Sequence, residues 1–339
     1  MFADRFGFVV GVDTHADSHA VAVIDAASGR TQSVVTIPAT RRGYRDALGH
    51  ACLHAPGARV WAVEGSGSYG RGLACFLVGE GERVREVERP PRRGSKARLK
   101  SDALDAERAA HHVLRSGGAT PRLGAQTQAL RVLVTTRDGA VRARTAALNE
   151  LRAVVITAPA ELRERLAGMP RGRLIRACRQ LRGDDATRLS LRLLAGRISQ
   201  LDQEAGTLEA HITQHVARLA PALLARPGVG PITAAAILVA WSHPGRLRNE
   251  AAFARLAGVA PIPASSGKTL RHRLDRGGDR QLNRALHTIA LAQRRTDPTT
   301  QTFITTRIQQ GKTPREATRL LKRYLARSIY RHLEATITT

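Results

Sequence analysis

The chain has 339 residues, 42% of them hydrophobic and only 4% aromatic, and a formal net charge of +26. This length allows two or three domains with ample core, built from Ala, Leu, Val and Ile rather than from aromatic rings. So large a positive charge points to a polyanionic partner, usually nucleic acid, unless it serves solubility alone. Nearly all the basic residues are Arg, with Lys only at 96, 100, 268, 312 and 322; compositional bias explains Arg over Lys but not basic over acidic. Cys52, Cys75 and Cys178 are scattered with no paired spacing, so neither a zinc site nor a disulfide framework is indicated. The start, Met1 to Val10, lacks the charged-then-apolar pattern of a signal peptide, and the longest apolar run, Ala234 to Trp241, is too short to span a membrane. A cytoplasmic, reducing setting and no membrane partner are the expectation.

Taken in order, Phe8 to Asp13 is a short apolar run that ends in an acid. Ala20 to Ile24 and Ser33 to Ile37 follow at hairpin spacing around Ser28-Gly29. Arg42 to His54 suits a helix, and Val60 to Glu64 is a second buried-strand candidate, again ending in an acid. Gly70 to Val78 reads as helix and Val84 to Val87 as strand, so the first region is an α/β layer structure. Arg89 to Lys100 is a basic, Pro-containing segment; Arg92, Arg93, Lys96 and Lys100 are its candidate nucleic-acid contacts. A helix starts at Ser101-Asp102, with Ser as its cap, and runs to about Ser116 before Gly117-Gly118 breaks it. The expected domains are 1–120, a helical linker over 121–220, and 221–339. Within the linker, Leu194, Ile198, Leu201, Ala205, Leu208, Ile212, His215 and Leu219 keep coiled-coil spacing, although one amphipathic helix of a local bundle would show the same pattern. The third region ends in a basic helix from Pro314 to about Leu333.

Three constellations carry chemistry. Asp13 and Glu64 each close an apolar strand, while Asp102 and Asp105 share one face of a helix. Four carboxylates so placed can converge, and that much negative charge needs cations beside it. Two Mg²⁺ (or Mn²⁺) ions about 4 Å apart would supply them and would clamp the attacking and leaving oxygens of a phosphoryl transfer. Each acid taken singly reads more simply as a helix cap or a solvated strand end. His15, His111 and His112 lie nearby in sequence, but a lone His is usually packed or solvated rather than a ligand.

The second constellation is Pro227-Gly228-Val229-Gly230 between helical runs. A Gly-x-Gly hairpin there can aim backbone amides at a phosphate, in the manner of helix-hairpin-helix modules, through Gly228 and Gly230. A tight turn without a ligand is the other reading. The third is the tract from Gly258 to Gly278. Ser265-Ser266-Gly267 would be ordinary linker chemistry but for Lys268, Arg271, Arg273, Arg276 and Arg280, which surround an exposed hydroxyl with cations able to hold a scissile phosphate. Lys268 is either a partner of the serine or a phosphate clamp.

These segments, in this order, resemble the DEDD-type insertion-sequence transposases of the IS-one-ten family, related to the Piv-type DNA invertases. Gly11-Val12-Asp13-Thr14-His15 is similar to the first-acid motif, Val63-Glu64-Gly65-Ser66-Gly67 to the second, and Lys100 to Ala106 to the Asp-x-x-Asp motif. Pro227 to Ala234 and Gly258 to Gly278 resemble the C-terminal transposase domain. The resemblance implies a RuvC-like, RNase H-fold first domain with divalent metal at Asp13, Glu64, Asp102 and Asp105. It also implies a serine nucleophile, with Ser266 favoured and Ser265 beside it. A phosphoserine link to donor and target DNA, a guide RNA from the same element, and a homo-oligomer (dimer or tetramer) with shared sites are implied in the same way.

Two other functions use parts of this set. A metal-dependent nuclease of the junction-resolvase kind needs only the four acids, and a non-catalytic nucleic-acid-binding protein needs only the charge.

Overall fold

The computed structural model describes residues 5–87, 101–264, 272, 273, 275 and 277–337. It divides into two compact units, Met1–Gly124 and Ala125–Thr339.

The first unit is a five-stranded mixed sheet with helices on both faces. Strands β1 (Phe8–Thr14), β2 (Ser18–Asp25) and β3 (Thr31–Pro38) form an antiparallel meander; β4 (Arg59–Glu64) and β5 (Val84–Val87) extend it in parallel. The resulting order is β3-β2-β1-β4-β5. The parallel strands need crossovers, and helices α1 (Arg41–His54) and α2 (Arg71–Gly79) lie on the connections into β4 and β5. Their apolar sides pack on Val10, Val12, Trp61 and Val63. The opposite face of the sheet, through Val9, Val60 and Ala62, is covered by Ala109, Ala110 and Val113 of helix α3 (Asp102–Ser116). Covered on both sides, β1 and β4 read as continuous apolar runs, the mark of buried central strands.

Helix α3 sits unusually close to the sheet, and Gly11 is why. A Cβ at Gly11 would lie 2.0 Å from the Ala106 carbonyl oxygen and 2.8 Å from the Ala110 nitrogen. Ala20, Ala22 and Ala106 make the neighbouring surface equally shallow. The obstacle is backbone, which has nowhere to move, so Gly11→Ala should destabilise this unit by on the order of 3 kcal/mol. Its unfolding midpoint in urea should fall accordingly, and an unchanged midpoint would show that α3 does not seat there.

Among its described residues the second unit has helices and one two-residue strand pairing. Helices α4 (Ala125–Thr157) and α7 (Ala186–Leu219), 33 and 34 residues long, run antiparallel. Ion pairs Arg137–Glu209, Arg144–Asp202 and Arg197–Glu150 step in opposite directions along them. The stripe Ile198, Ala205 and Ile212, read from the sequence as a seam, is buried. At one end of the pair, α5 (Ala160–Leu166) and α6 (Arg171–Arg179) close a core around Leu151, Leu174 and Leu191.

At the other end, the short α8 (Pro221–Leu224) leads through a hairpin into α9 (Pro231–Trp241). α9 is packed among α10 (Glu250–Leu256), α11 (Arg280–Thr296) and α13 (Pro314–Thr336), with α12 (Pro298–Gln309) against α11 and α13. The apolar run Ala234 to Trp241 is thus the interior of a domain core. Among the described residues no helix is long and apolar enough to cross a membrane. Strands β6 (Ile262–Pro263) and β7 (His272–Arg273) pair between α10 and α11. The stretch 121–220, expected as a linker, supplies four helices of the second unit, α4 to α7, of which α4 and α7 pack on one another and on α9.

Candidate metal centre

Alternation along the strands sets the direction of each acid. In β1, Val10 and Val12 face α1 and α2, while Val9 and Gly11 face α3; Asp13 continues the α3 side by the period of two. β4 repeats this, with Trp61 and Val63 on one face and Val60 and Ala62 on the other, so Glu64 follows Ala62 toward α3. Val12 and Val63 are register partners in the parallel pair, which places Asp13 and Glu64 side by side at the same strand ends. Thr14 Oγ1 donates to the Glu64 carbonyl at 2.9 Å and ties those ends together.

Helix α3 begins at this edge. Ser101 caps it, its hydroxyl accepting from the Leu104 amide at 3.2 Å, and Asp102 is its first residue. The α3 contact runs from Val113 through Ala110 and Ala106 toward the helix start, so the Gly11 contact fixes where Asp102 stands. His15 joins the two acids: its Nε2 lies 3.1 Å from Asp13 Oδ2 and 3.5 Å from Asp102 Oδ1. The chain turns immediately after β1, with the His15 amide donating to the Ser18 carbonyl at 3.0 Å, and this turn brings the ring back over Asp13. Asp13 is buried, at 6% side-chain exposure, while His15 and Asp102 are open to solvent at 48% and 67%. One ligand atom from each of the three lies within 4.8 Å of the others.

His15, expected to be packed or solvated, stands between two of the acids. Of the four carboxylates, only Asp13 and Asp102 fall in this convergent group. Asp105, one turn along α3, is ion-paired with Arg108 instead. Both partners are partly exposed, so the pair is worth at most about 1 kcal/mol and exchanges readily. Behind the site, His19 is fully buried and opposite Thr14 in the β1–β2 register. Burial pushes its imidazole below the ordinary histidine range; the Ser18 carbonyl and Asp13 pull it up, and His15 lowers it further.

The other expected residues are placed unevenly. Gly228 has φ +73°, and a Cβ on it would come within 3.2 Å of α11, at the Ile289 oxygen and Ala292. The Pro227 carbonyl accepts from Gln293 of the same helix at 2.8 Å. The amides of Val229 and Gly230 are engaged internally, by the Arg226 carbonyl and by Thr233 Oγ1. Close helix packing accounts for Gly228, and of the two glycine amides expected to face a phosphate, that of Gly230 is already used. Arg273 and Arg280 are exposed, in β7 and at the start of α11. Ser265, Ser266, Lys268, Arg271 and Arg276, and the basic group Arg92, Arg93, Lys96 and Lys100, lie outside the described residues.

Comparison with known proteins bears on both units. A family model described as "Transposase", of DEDD type and named for IS110, matches residues 10–158 and takes in all four acids. A second, described as "Transposase IS116/IS110/IS902 family", matches residues 220–305, which include the hairpin and the serine tract. The chain belongs to the IS110 family. It is similar to the 43.6 kDa protein of insertion element IS110 from Streptomyces coelicolor, 35% identical over 127 residues, 37% of this chain and 31% of the relative. It is also similar to the 42 kDa protein of insertion element IS900 from Mycobacterium paratuberculosis, 35% identical over 136 residues, 38% of this chain and 34% of the relative. The matched stretch thus spans about a third of each curated relative's length.

A DEDD family implies a divalent metal, and the donors on this IS110-family sheet edge fit one. Two carboxylate oxygens from a strand end and a helix start, with an imidazole nitrogen between them, are ligand types that hard and borderline divalent ions accept.

Proposed function

We propose that this chain is a transposase that cuts and rejoins DNA for the movement of its own element. The observation that carries the reading is the meeting of Asp13 and Asp102 across almost ninety positions of chain, inside the stretch matched by the DEDD transposase model. In this reading residues 1–120 are an RNase H-like, RuvC-like nuclease domain, 121–220 a helical linker and 221–339 the strand-transfer domain. The sheet order β3-β2-β1-β4-β5, with an antiparallel meander and two parallel strands, supports the first assignment.

Asp13, Glu64, Asp102 and Asp105 would hold Mg²⁺ or Mn²⁺, with His15 as an additional ligand. The metal would supply charge neutralisation and polarise the phosphoryl oxygens. The chain's own work is placement. Gly11 lets α3 approach, Ser101 fixes where it begins, and the Thr14–Glu64 bond holds the two strand ends level. The nucleophile in this reading is Ser266, with Ser265 the alternative. Its Oγ forms a bond to the scissile phosphorus, the bridging P–O bond breaks, and the departing sugar oxygen takes up the proton that the serine gives up. Rejoining is the reverse step with a new sugar hydroxyl. β6 and β7 pair on either side of the serine tract, and a Cβ on Gly258 would meet the Gly277 carbonyl oxygen at 2.5 Å, so the two ends of that segment are held together. A guide RNA and a homo-oligomer, dimer or tetramer, complete the proposal.

A hydrolytic nuclease would use the same acids and water. Incubation with labelled DNA followed by denaturing electrophoresis separates the two: a transposase of this type leaves a covalent protein–DNA adduct, whereas a nuclease leaves only cut strands.

The charge adds a second expected result. Affinity for duplex DNA should fall steeply with salt, with a log–log slope of roughly −0.9 per phosphate neutralised. Replacing Arg92, Arg93 and Lys96 together by Gln should flatten that slope by roughly 2.7 in filter-binding measurements across a salt series. A slope near zero for the unmodified protein would remove the electrostatic argument.

A further inference from the structure

The second unit contains a concave charged feature that the transposase reading does not use. Helices α4, α9 and α11 leave between them a cleft of about 280 Å³. Its floor is apolar, formed by Val134, Val141, Ile232 and Ala236, and its rim carries Arg137, Arg142 and Arg284. Asp138 lies among them, 7% exposed, and its carboxylate is fully engaged. Oδ1 accepts from Arg137 at 3.1 Å, and Oδ2 accepts from Gln281 and from Arg284, each at 3.1 Å. Arg137 is also held by Glu209 across the α4–α7 pair.

A network that served only to tie helices together would be closed. This one is not. Arg142 is exposed and has no carboxylate partner among the described residues. Arg284 is 63% exposed and uses one of its five N–H groups on Asp138. Three arginines therefore meet two carboxylates, with Arg137 spanning Asp138 and Glu209 and Arg284 sharing Asp138, beside apolar surface left open to solvent. Asp138 acts as the post that orients Arg284 and Gln281, leaving surplus positive charge at the rim. Thr233 lines the same cleft and accepts from the Gly230 amide, so the Pro227–Gly230 hairpin stands at its edge.

Guanidinium groups around an apolar floor match one nucleotide unit: phosphate for the rim, the flat face of a base for the floor. A duplex keeps its bases stacked inside and presents only phosphate ridges, so its bases cannot reach a recessed floor. We propose that this cleft seats one unstacked nucleotide of a single-stranded nucleic acid, its phosphate on Arg142 and Arg284 and its base over Val134, Ile232 and Ala236. The proposal rests on the reading of the chain as a nucleic-acid enzyme and assigns that enzyme a single-strand contact built from α4, α9 and α11, outside the serine tract and the basic segment.

The test is fluorescence anisotropy on the full-length protein, with labelled oligothymidylate and with an oligothymidylate–oligoadenylate duplex, across a salt series. Arg142→Gln with Arg284→Gln should weaken single-strand binding about tenfold and flatten its salt slope by roughly 1.4, since two contacts at roughly 0.7 each are lost. Duplex binding should change far less. Arg163→Gln with Arg165→Gln, two exposed arginines of α5, removes the same charge elsewhere and should leave both affinities nearly unchanged. Thr288→Trp, which crowds the rim without altering charge, should weaken single-strand binding at constant slope. Equal losses in the α5 and cleft variants would overturn the proposal in favour of diffuse charge. So would equal losses on duplex and single strand, or no loss in any cleft variant with an unchanged melting curve. If the unmodified protein binds neither probe, it is the nucleic-acid reading itself that fails, and this is visible before any variant is made.

Discussion

Asp13→Asn and Asp102→Asn, each alone, are expected to abolish DNA strand cleavage while leaving nucleic-acid binding near its original strength. Asp13 is buried against the sheet, and asparagine is nearly isosteric, keeping an oxygen that can still accept from His15 Nε2. The fold should therefore survive. What is lost is the negative charge that makes the site a cation ligand, and with it several kcal/mol of transition-state stabilisation. At 1.36 kcal/mol per decade this corresponds to a loss of about a thousandfold or more in single-turnover cleavage. Asp102 is exposed and is the first residue of α3, so its replacement removes charge with still less structural cost. Mn²⁺ titrations followed by electron paramagnetic resonance supply a readout apart from activity: both variants should bind the ion more weakly. Mg²⁺ or Mn²⁺ should be required for turnover, with Ca²⁺ supporting binding better than cleavage. Full cleavage by both variants would remove the metal assignment.

How this site is assembled explains what could be read from the residues and what could not. Phe8 to Asp13 and Val60 to Glu64 are legible because strands buried on both faces cannot carry polar residues until they reach an edge, so the acid marks the end. The start of α3 is legible because Ser101 signals its cap chemistry locally. The α7 stripe is legible for the same kind of reason, since Ile198, Ala205 and Ile212 repeat at the spacing of one helix face. His15 is different. Its place between Asp13 and Asp102 depends on the turn after β1 and on α3 crossing the sheet at Gly11, and neither is encoded next to His15. Gly228 was recognisable as a turn residue, yet the helix that forbids a side chain there arrives some sixty positions later. Asp138 looks like any helix-surface acid until Gln281 and Arg284 are folded onto it, 143 and 146 positions away.

The last expected result concerns the step that separates recombination from hydrolysis. A hydrolase dissipates the phosphodiester bond, whereas an enzyme that holds the phosphate as a serine ester can pass it to a new hydroxyl without an external energy source. Ser266→Ala should therefore eliminate strand exchange and any covalent protein–DNA adduct, while the Asp13–Asp102 site binds Mn²⁺ as before. The serine belongs to the second compact unit and the acids to the first, with α4 and α7 between them in the chain. In the proposed homo-oligomer with shared sites, the serine of one subunit acts with the acids of another. A mixture of Ser266→Ala and Asp102→Asn proteins should then regain part of the activity that neither has alone, because one of the mixed sites carries both intact groups. Recovery in the mixture supports a site shared between chains; two inactive proteins that stay inactive together place serine and acids in the same chain. Full recombination by Ser266→Ala would rule out Ser266 as nucleophile, and Ser265→Ala would then be the variant expected to lose the adduct.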